Sequence, residues 1–579
     1  MIRKLALASA SALLLVGCGG SGDINVNSTT NDNSVNNSNN TTEGGGDTGD
    51  TNPCASYTTM GGTTRQGTYD GTDCTYAPSF VDAGNNLMVD LTIPDLPNNG
   101  NHIFQGSLFV GPACSDDQCL ADNNITEGGD GPTLTIEAGA TLAWQSNANF
   151  FTINRGSQIF AVGTAEDPIT FTSVSDINGD LADPGEDGAE AVQQWGGMVV
   201  DGFAVTNACD YVGERGESGF ALDSACHVPN EGSAGLDENF YGGDNDDDSS
   251  GRMEFVIVKH TGATVGNGDE LNGISFGAVG RNTVVRNLQM YSTFDDGIEM
   301  FGGAVNFENF AAVYVRDDSI DIDEGWIGTI DNSIVIQQEF DGNHCIEADG
   351  IASFDDLTEA VRDDFVTRGL NSAPTINNLT CIVSPNGADT STHDPGAGWR
   401  LREGLTPTIN DAIVVTSFAD DADNNGITAG EPTFDPNDED DDGNYCFRPE
   451  DPQTVDAFLN DTAAVTGTIF ACEDPFRSDG ATVAADEDVQ FATIADGPVD
   501  PTVAADPDLV ILEVGAGADD GTQPIFSVDF GTMLVDGAAP TVTAPTDFLG
   551  ALSTSETNPY AGWTFGIFAD NRSQPLWFE

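Results

Sequence analysis

Two acidic segments with nearly the same pattern lie 22 residues apart in this chain. The first is DDGIEMFGG at residues 295–303, and the second is DDSIDIDEG at residues 317–325. The offset is the same from the first residue of the pattern to the last. A repeat of this length is typical of a solenoid, in which one coil of the chain lies on the next. The carboxylates of one segment would then stack on those of the other.

The stacked carboxylates limit what chemistry this region can perform. In the same register, Glu299 aligns with Asp321 and Glu347, while Asp323 aligns with Asp349. Two bare carboxylates about 5 Å apart repel by about 0.8 kcal/mol in water and about 3 kcal/mol at an effective dielectric constant of 20. A column of them therefore requires raised pKa values, neighbouring arginines such as those at 286 and 316, or bridging Ca²⁺.

Three interpretations of this cluster stay open on the sequence. The Asp-Asp-Gly sequence is itself typical of turns, which would give it a structural role only. Calcium would bind through the column residues Glu299, Asp321, Asp323 and Glu347. A catalytic cluster would instead use the paired aspartates, which are Asp295, Asp296, Asp317 and Asp318.

A second group of carboxylates has the spacing of calcium-binding loops. DEDDDG at 438–443 and DADNNG at 421–426 place oxygen donors at positions 1, 3 and 5 and glycine at position 6, as in the first half of an EF-hand loop. Weaker matches begin at residues 176 and 244. Solvated acidic loops without a metal are the alternative. The predicted calcium ligands are Asp438, Asp440, Asp442, Asp421, Asp423 and Asn425.

Short β-branched segments separated by glycine and asparagine turns must position these groups. The alternation within ITF at 169–171 and IVI at 334–336 predicts strands. One helix is predicted within residues 355–369. A ladder of asparagines recurs at steps of 22, 23, 46 and 32 residues, as expected if one coil is skipped and one carries a loop. Its members are Asn287, Asn309, Asn332, Asn378 and Asn410.

The motif-bearing region, residues 131–415, resembles the right-handed parallel β-helix of the pectate-lyase-like superfamily. The resemblance implies an all-β fold, namely a single-stranded right-handed parallel β-helix with loop insertions and a C-terminal cap. Some of its motifs resemble a narrower group of exported β-helix proteins of Gram-negative bacteria that has no assigned reaction. The motifs are LTIEAGATL at 134–142, DPITFT at 167–172, and, for the narrower group, WGG at 195–197, CIE at 345–347 and LREG at 401–404.

Catalytic motifs of the superfamily are largely missing from the sequence. Polygalacturonase-like hydrolases combine their Asp pair with Gly-His-Gly and Arg-x-Lys, and neither motif occurs here. Lyases of this fold use a Lys or Arg base beside calcium, for which Lys259, next to His260, is the lysine candidate; a surface role is favoured for it. A nucleophile elbow, a phosphate loop and a zinc signature are also absent. The sequence leaves catalysis undecided and leans against it.

The first 17 residues have the pattern of a lipoprotein signal peptide. Arg3 and Lys4 precede an apolar run that is too short to span a bilayer, and LVGC at 15–18 resembles a bacterial lipobox. The resemblance implies cleavage before Cys18 and acylation of its thiol with chains such as palmitate. A secretory signal with a chance cysteine is the alternative. Gly19 favours the outer membrane, and residues 18–52 are predicted to be a disordered Asn/Ser/Gly-rich tether.

Charge and cysteine content restrict the partners and the compartment. The chain has 17 Lys and Arg residues against 95 Asp and Glu, a net charge of −78, which excludes nucleic acid. An anionic polymer would need a bridging cation. Ten cysteines remain after Cys18, an even number for an exported chain, and they predict sequence-local disulfides rather than zinc ligands. The pairs are Cys54–Cys74, Cys114–Cys119, Cys209–Cys226, Cys345–Cys381 and Cys446–Cys472.

The predicted organisation follows from these features. A disulfide-pinned N-terminal cap spans 53–130, the β-helix 131–416, an acidic loop region 417–480 and a C-terminal cap 481–579. We expect a lipid-anchored, calcium-stabilised protein on the outer membrane, at the cell surface, although the periplasmic face stays open. It would bind a glycan, support adhesion or serve an outer-membrane transporter. A calcium-dependent polysaccharide lyase or glycoside hydrolase is the alternative.

Overall fold

The computed structural model describes residues 52–81, 86–181, 191–230, 239–264, 270–384, 395–415, 445–472, 476–477, 502–503, 548–552, 558–568, 571 and 576. All of these belong to one compact unit, Asn52–Glu579. Cys18 and the loop ligands predicted between Asp421 and Asp442 lie outside the described residues.

One nine-stranded parallel sheet, which we call sheet A, carries the acidic segments. Its strands pair in chain order, so each strand belongs to the next coil of a solenoid. From Ile274 the coil length is 24, then 22, then 26 residues, and inserted segments lengthen the following two coils to 53 and 48. The strands are Leu108–Val110, Phe151–Ile153, Met198–Asp201, Ile274–Gly277, Ile298–Phe301, Ile320–Asp323, His344–Asp349, Ala397–Arg402 and Phe447–Pro449.

The second sheet, sheet B, contains eighteen strands and forms the remaining walls of the coils. Its pairing is parallel except where Thr68–Tyr69 meets Cys74–Tyr76. The strands are Thr68–Tyr69, Cys74–Tyr76, Leu91–Ile93, Asn101–Phe104, Thr133–Ile136, Thr141–Trp144, Gln158–Val162, Ile169–Ser173, Gly251–Lys259, Val284–Tyr291, Asn306–Val313, Thr329–Ile336, Thr375–Ile382, Thr408–Asn410, Ile413–Val415, Ala464–Thr466, Ile469–Ala471 and Thr502–Val503. Parallel pairing thus begins before residue 131 and continues past residue 416.

The remaining elements are short. Three antiparallel pairs join Ser56–Thr58 to Thr64–Gln66, Tyr211–Val212 to Ala221–Leu222, and Val228–Pro229 to Phe240–Tyr241. The helix predicted within 355–369 is observed at Glu359–Thr367. The other helices are Asp117–Asn123, Val174–Ile177 and Pro452–Leu459, with 3₁₀ turns at Pro97–Asn99 and Phe354–Asp356. Among the described residues, no helix is long and apolar enough to cross a membrane.

Apolar ladders fill the interior of the coils and explain the strand pattern. Ile298 pairs with Ile320 in adjacent strands, and both are fully buried, as is Ile346 one coil further on. Alternate residues of a strand face opposite sides of the sheet. The residue that follows each isoleucine in its strand, such as Glu299, therefore points outwards, as the sequence predicted. In-register pairing of adjacent strands keeps this alternation in phase from coil to coil, although the coil length varies.

The asparagine ladder lies at a bend inside the long strands of sheet B rather than at strand starts. Asn287, Asn309, Asn332 and Asn378 all have left-handed backbone conformations, with φ between 51° and 58°, which asparagine tolerates better than most residues. The amide of Asn309 donates to Oδ1 of Asn287 (3.0 Å), and that of Asn332 donates to Oδ1 of Asn309 (3.3 Å). The last predicted member is wrong, because Asn410 pairs with Asn377 and the bend is occupied by its neighbour at 411.

Residues near the C-terminus pack along the outer face of sheet B. We call residues 548–552 and 558–568 the C-terminal strap. The main-chain oxygen of Gly550 accepts a hydrogen bond from Asn378, the Tyr560 hydroxyl donates to the main-chain oxygen of Asn332, and the Phe565 amide donates to Gln289. The strap therefore runs from later coils towards earlier ones. It covers an apolar cluster that includes Ile334, Ile336, Val313, Trp563 and Phe568.

All five predicted sequence-local disulfides are present, which confirms that prediction. The pair Cys345–Cys381 joins sheet A to sheet B, and both of its residues are fully buried. This link crosses the interior directly behind the acidic face of sheet A.

Candidate functional site

Six polar residues from three successive coils form a compact grid at the N-terminal ends of three central strands of sheet A. Three of them, Glu299, Asp321 and Glu347, are paired neighbours on the outer face of the sheet. The other three lie three residues before these in the chain, so each coil contributes a pair; Asp296 and Asp318 precede their strands, and His344 is the first residue of its strand. We call this set the acid–histidine grid; its rows are Asp296 with Glu299, Asp318 with Asp321, and His344 with Glu347.

The column nearer the turn is held by hydrogen bonds between coils. The Asp318 amide donates to Oδ1 of Asp296 (3.0 Å), and the His344 amide donates to Oδ1 of Asp318 (2.7 Å). The His344 imidazole also contacts Asp318, with Nδ1 2.8 Å from Oδ1. Each aspartate thus satisfies a main-chain amide of the coil above it, which is a structural role. That role engages Oδ1 of each aspartate.

Burial changes the protonation of the first column. Asp296 is 7% exposed and Asp318 is 3% exposed. Burial and the surrounding carboxylates raise the pKa of both carboxyls well above the usual range, and the same causes raise the pKa of Asp321. Among the neighbours of Asp318, Glu347 contributes most to this shift. The grid therefore carries a full set of ionised carboxylates only if a cation compensates for them.

Glu347 stays ionised because it is the member of the grid that contacts two arginines. Burial alone would raise the pKa of Glu347, but His344, Asp318 and the arginines lower it to about 2. Burial lowers the pKa of His344 to about 4, so the imidazole is neutral at pH 7. The positive charge beside Glu347 therefore comes from Arg402 and Arg400, whose guanidinium nitrogens lie 2.6 and 3.4 Å from Oε1.

A second acidic column runs parallel to the grid on the same strands. Asp323 follows Phe301 in register, and Asp349 contacts Arg402, with Nε 2.5 Å from Oδ1. Burial raises the pKa of Asp323 and of Asp349. Glu324 accepts hydrogen bonds from the hydroxyls of Thr206 and Tyr241. Glu324, which follows Asp323 in the chain, is therefore held by two residues of the segment inserted before Ile274.

The arginines suggested by the sequence serve other carboxylates. Arg286 contacts Glu308 on sheet B, and Arg316 contacts Asp341. The arginines that contact the acidic columns come instead from the strand Ala397–Arg402, in which Arg400 pairs with Glu347 in register. The column of outward-facing residues that contains Glu299, Asp321 and Glu347 is therefore acidic up to Glu347 and basic at Arg400.

Three sets of side chains in this region have the spacing of metal ligands. Within each set, one donor atom from each residue lies within 4.8 Å of the donor atoms from the other two. The predicted catalytic aspartates and two predicted metal ligands, Asp321 and Glu347, are thereby brought together. Glu299 lies beside Asp321 in register and accepts a hydrogen bond from Asn272, while Asp323 belongs to the second column. The sets are Asp295, Asp296 and Asp317; Asp296, Asp318 and Asp321; and Asp318, His344 and Glu347.

Comparison with known proteins identifies the family of this chain. The family model described as the pectate-lyase-like beta-helix domain matches residues 125–433, more than half of the chain. The chain belongs to this family. No curated protein matches the chain, and no solved structure matches it. The comparison therefore assigns a fold to this pectate-lyase-like β-helix protein but assigns no reaction.

Sequence reasoning missed three residues of the site in this pectate-lyase-like protein. His344 occupies the position that Asp296 and Asp318 occupy in earlier coils, and Arg400 with Arg402 follows the acidic columns. The signal for His344 was present, because extending the register from Asp321 to Glu347 places Asn343-His344 where Asp-Asp stands before. The arginines are harder to find, because a 53-residue coil separates them from Glu347.

Proposed function

We propose that this protein is an exported, lipid-anchored β-helix whose acidic face binds a divalent cation, with calcium as the expected ion, and through it a surface ligand. Acylation at Cys18 would attach it to the outer membrane, at the cell surface, and the solenoid would turn in the right-handed sense. The role is binding rather than catalysis. The ligand would be a polysaccharide or an outer-membrane protein.

The convergence of carboxylates in the acid–histidine grid carries this proposal. Asp296 and Asp318 each belong to two of the sets that have metal-ligand spacing. Carboxylate oxygens in a cluster are the donors that Ca²⁺ prefers, and the ion would remove the repulsion that raises their pKa values. The two arginines offset Glu347 and Asp349 at one end, Arg402 offsets Asp321 in part, and Asp296 and Asp318 are left to be compensated.

A bound cation would also explain how so acidic a chain could hold an acidic glycan. With a net charge of −78, the surface repels anionic polymers. A calcium ion with open coordination positions can bridge a protein carboxylate and a sugar carboxylate, because it takes six to eight oxygen ligands. Binding would then require the cation, and chelation would release the ligand.

Thermal unfolding of the mature protein with and without calcium tests the cation site. At a free Ca²⁺ concentration 100 times Kd, binding stabilises the folded state by about 2.7 kcal/mol. We expect Asp321→Asn to remove most of the shift that arises at the grid. Asp331→Asn is the matched control, since Asp331 is exposed on sheet B and accepts a hydrogen bond from Asn377. Asp440→Asn separates the predicted loop sites from the grid.

Two results of this experiment would contradict the proposal. If calcium does not raise the melting temperature, or if Asp321→Asn leaves that rise intact, the grid is excluded as a calcium site. Calcium-dependent retention on a panel of immobilised uronate and neutral polysaccharides tests the ligand. Loss of labelled palmitate on Cys18→Ser tests the anchor, and protease treatment of whole cells tests the surface location.

A lyase or hydrolase is the second candidate, and one observation favours it. The carboxyls of Asp318 and Glu347 are neighbours whose pKa values move in opposite directions, one raised and one lowered to about 2. Such a pair supplies a proton donor and an ionised carboxylate at the same pH. Release of reducing or unsaturated sugar ends that Asp318→Asn abolishes would establish catalysis, and its absence on the whole panel would reject this candidate.

A further inference from the structure

One of the three sets with metal-ligand spacing differs from the others because it contains a nitrogen donor. His344 Nδ1 lies 2.8 Å from Oδ1 of Asp318 and 3.7 Å from Oε2 of Glu347. Neighbouring ligands of a tetrahedral zinc ion with bonds of about 2.0–2.1 Å are about 3.3–3.4 Å apart, which lies between these two distances. To take the ion, the contact between His344 and Asp318 would lengthen by about 0.5 Å and lose its hydrogen bond, while Glu347 would approach by about 0.3 Å.

The surroundings of the set fix its donors in place. The His344 amide and imidazole are both hydrogen-bonded to Asp318, and His344 is 2% exposed. Arg402 and Arg400 hold the other carboxylate oxygen of Glu347, Oε1, which leaves Oε2 directed to the histidine. The amide hydrogen bond and the arginine contacts are outer contacts of the kind that orient metal ligands, whereas the contact between Nδ1 and Oδ1 joins two of the proposed ligand atoms themselves. In the described part of the chain, Nε2 of His344 is buried without a hydrogen-bond partner, so the ring's polar contacts are those at Nδ1.

We propose that Asp318, His344 and Glu347 form a second metal position, which takes a transition-metal dication of the zinc class. Imidazole favours such ions, whereas an all-carboxylate set suits calcium. Three protein donors leave a fourth coordination position for water or a ligand. The inference builds on the proposed function in one respect, because Asp318 also belongs to the all-carboxylate set with Asp296 and Asp321.

The shared aspartate makes the two positions neighbours. Their ligands come from successive coils, which lie about 4.8 Å apart, and paired metal sites in proteins are about 3.5–4 Å apart. One oxygen of Asp318 would serve each ion. The pair would present two metals of different type along the solenoid axis.

Calorimetric titration of the mature protein with Zn²⁺ in saturating Ca²⁺ tests the second position. We expect the wild type to bind one equivalent of Zn²⁺ tightly. His344→Asn should lower the Zn²⁺ affinity at least as much as the loss of an outer-sphere partner does, which is about 10–100-fold. His227→Asn is the matched control, because His227 also contacts an aspartate, with Nε2 3.0 Å from Asp117. Co²⁺ in place of Zn²⁺ should give visible absorption bands that His344→Asn removes and His227→Asn keeps.

The results that overturn the inference differ from those that overturn calcium binding. Absence of tight Zn²⁺ binding in the wild type, or binding that His344→Asn leaves unchanged, rejects the second position even if the calcium shift is present. Zinc binding in a protein whose melting temperature does not respond to calcium rejects the calcium site but not the second metal position. If His344→Asn fails to fold, Glu347→Gln replaces it, and we expect the same loss of Zn²⁺ affinity from that variant.

Discussion

Replacing Arg402 with methionine tests how the acidic columns are balanced. Its guanidinium contacts Glu347 and Asp349 at 2.6 and 2.5 Å, and the three side chains are 28%, 12% and 15% exposed. Removing one partner of a buried ion pair typically costs about 3–5 kcal/mol, because an uncompensated charge stays behind. Arg400 still reaches Glu347 in the variant. We therefore expect Arg402→Met to lower the free energy of unfolding by about 3 kcal/mol.

The pH dependence of this effect follows from Glu347. Its pKa is 4.5 in the unfolded chain and about 2 in the folded protein. A lowered folded pKa contributes stability that is complete above about pH 4.5 and is lost as the pH falls towards 2. The difference between wild type and Arg402→Met should therefore shrink across that interval.

Urea unfolding in chelator, followed by tryptophan fluorescence, measures the effect without screening the charges. Arg286→Met is the matched control. Arg286 also contacts a glutamate of the next coil, but its side chain is 55% exposed and that of Glu308 is 50% exposed. Exposed pairs contribute about 0.2–1 kcal/mol. If Arg402→Met costs no more than Arg286→Met, the acidic columns do not depend on this arginine and the reasoning is refuted.

Three further predictions concern the grid, the strap and the asparagine ladder. Asp321→Asn should raise the melting temperature in chelator at pH 7.5, because burial raises the pKa of Asp321 and penalises its ionised form. This gain in melting temperature should vanish as the pH falls towards 3.8, the pKa of an unperturbed aspartate. A gain that grew on acidification would contradict the prediction. Trp563→Ala should cost about 3–5 kcal/mol in urea unfolding, since Trp563 is 3% exposed and packs on Phe255, whereas the control Met60→Ala, at a residue 77% exposed, should change stability by less than about 0.5 kcal/mol. Asn309→Ala should cost about 2–4 kcal/mol, because it breaks two ladder hydrogen bonds and strains a left-handed residue; Asn309→Gly should cost less, and equal costs would show that the backbone strain is negligible.

Local pattern was sufficient to predict much of this fold. The isoleucines at 298, 320 and 346, which follow one another at offsets of 22 and 26 residues, predicted inward ladders with acidic neighbours, and the pairing agrees. The disulfides were also predictable, because each joins cysteines that are close in sequence. These features depend on alternation and on short separations, which a single sequence displays directly.

The composition of the site was decided by the tertiary structure. Arg402 meets Asp349 across a coil of 53 residues, so an inserted segment hid the register that joins them. The strap is a stronger case, since Phe565 meets Gln289 across 276 residues. The sequence alone determined a stack of coils with carboxylates on one outer face. Which arginines and which histidine complete that face depended on insert lengths and long-range packing, because contacts between residues so far apart leave no periodic signal in one sequence.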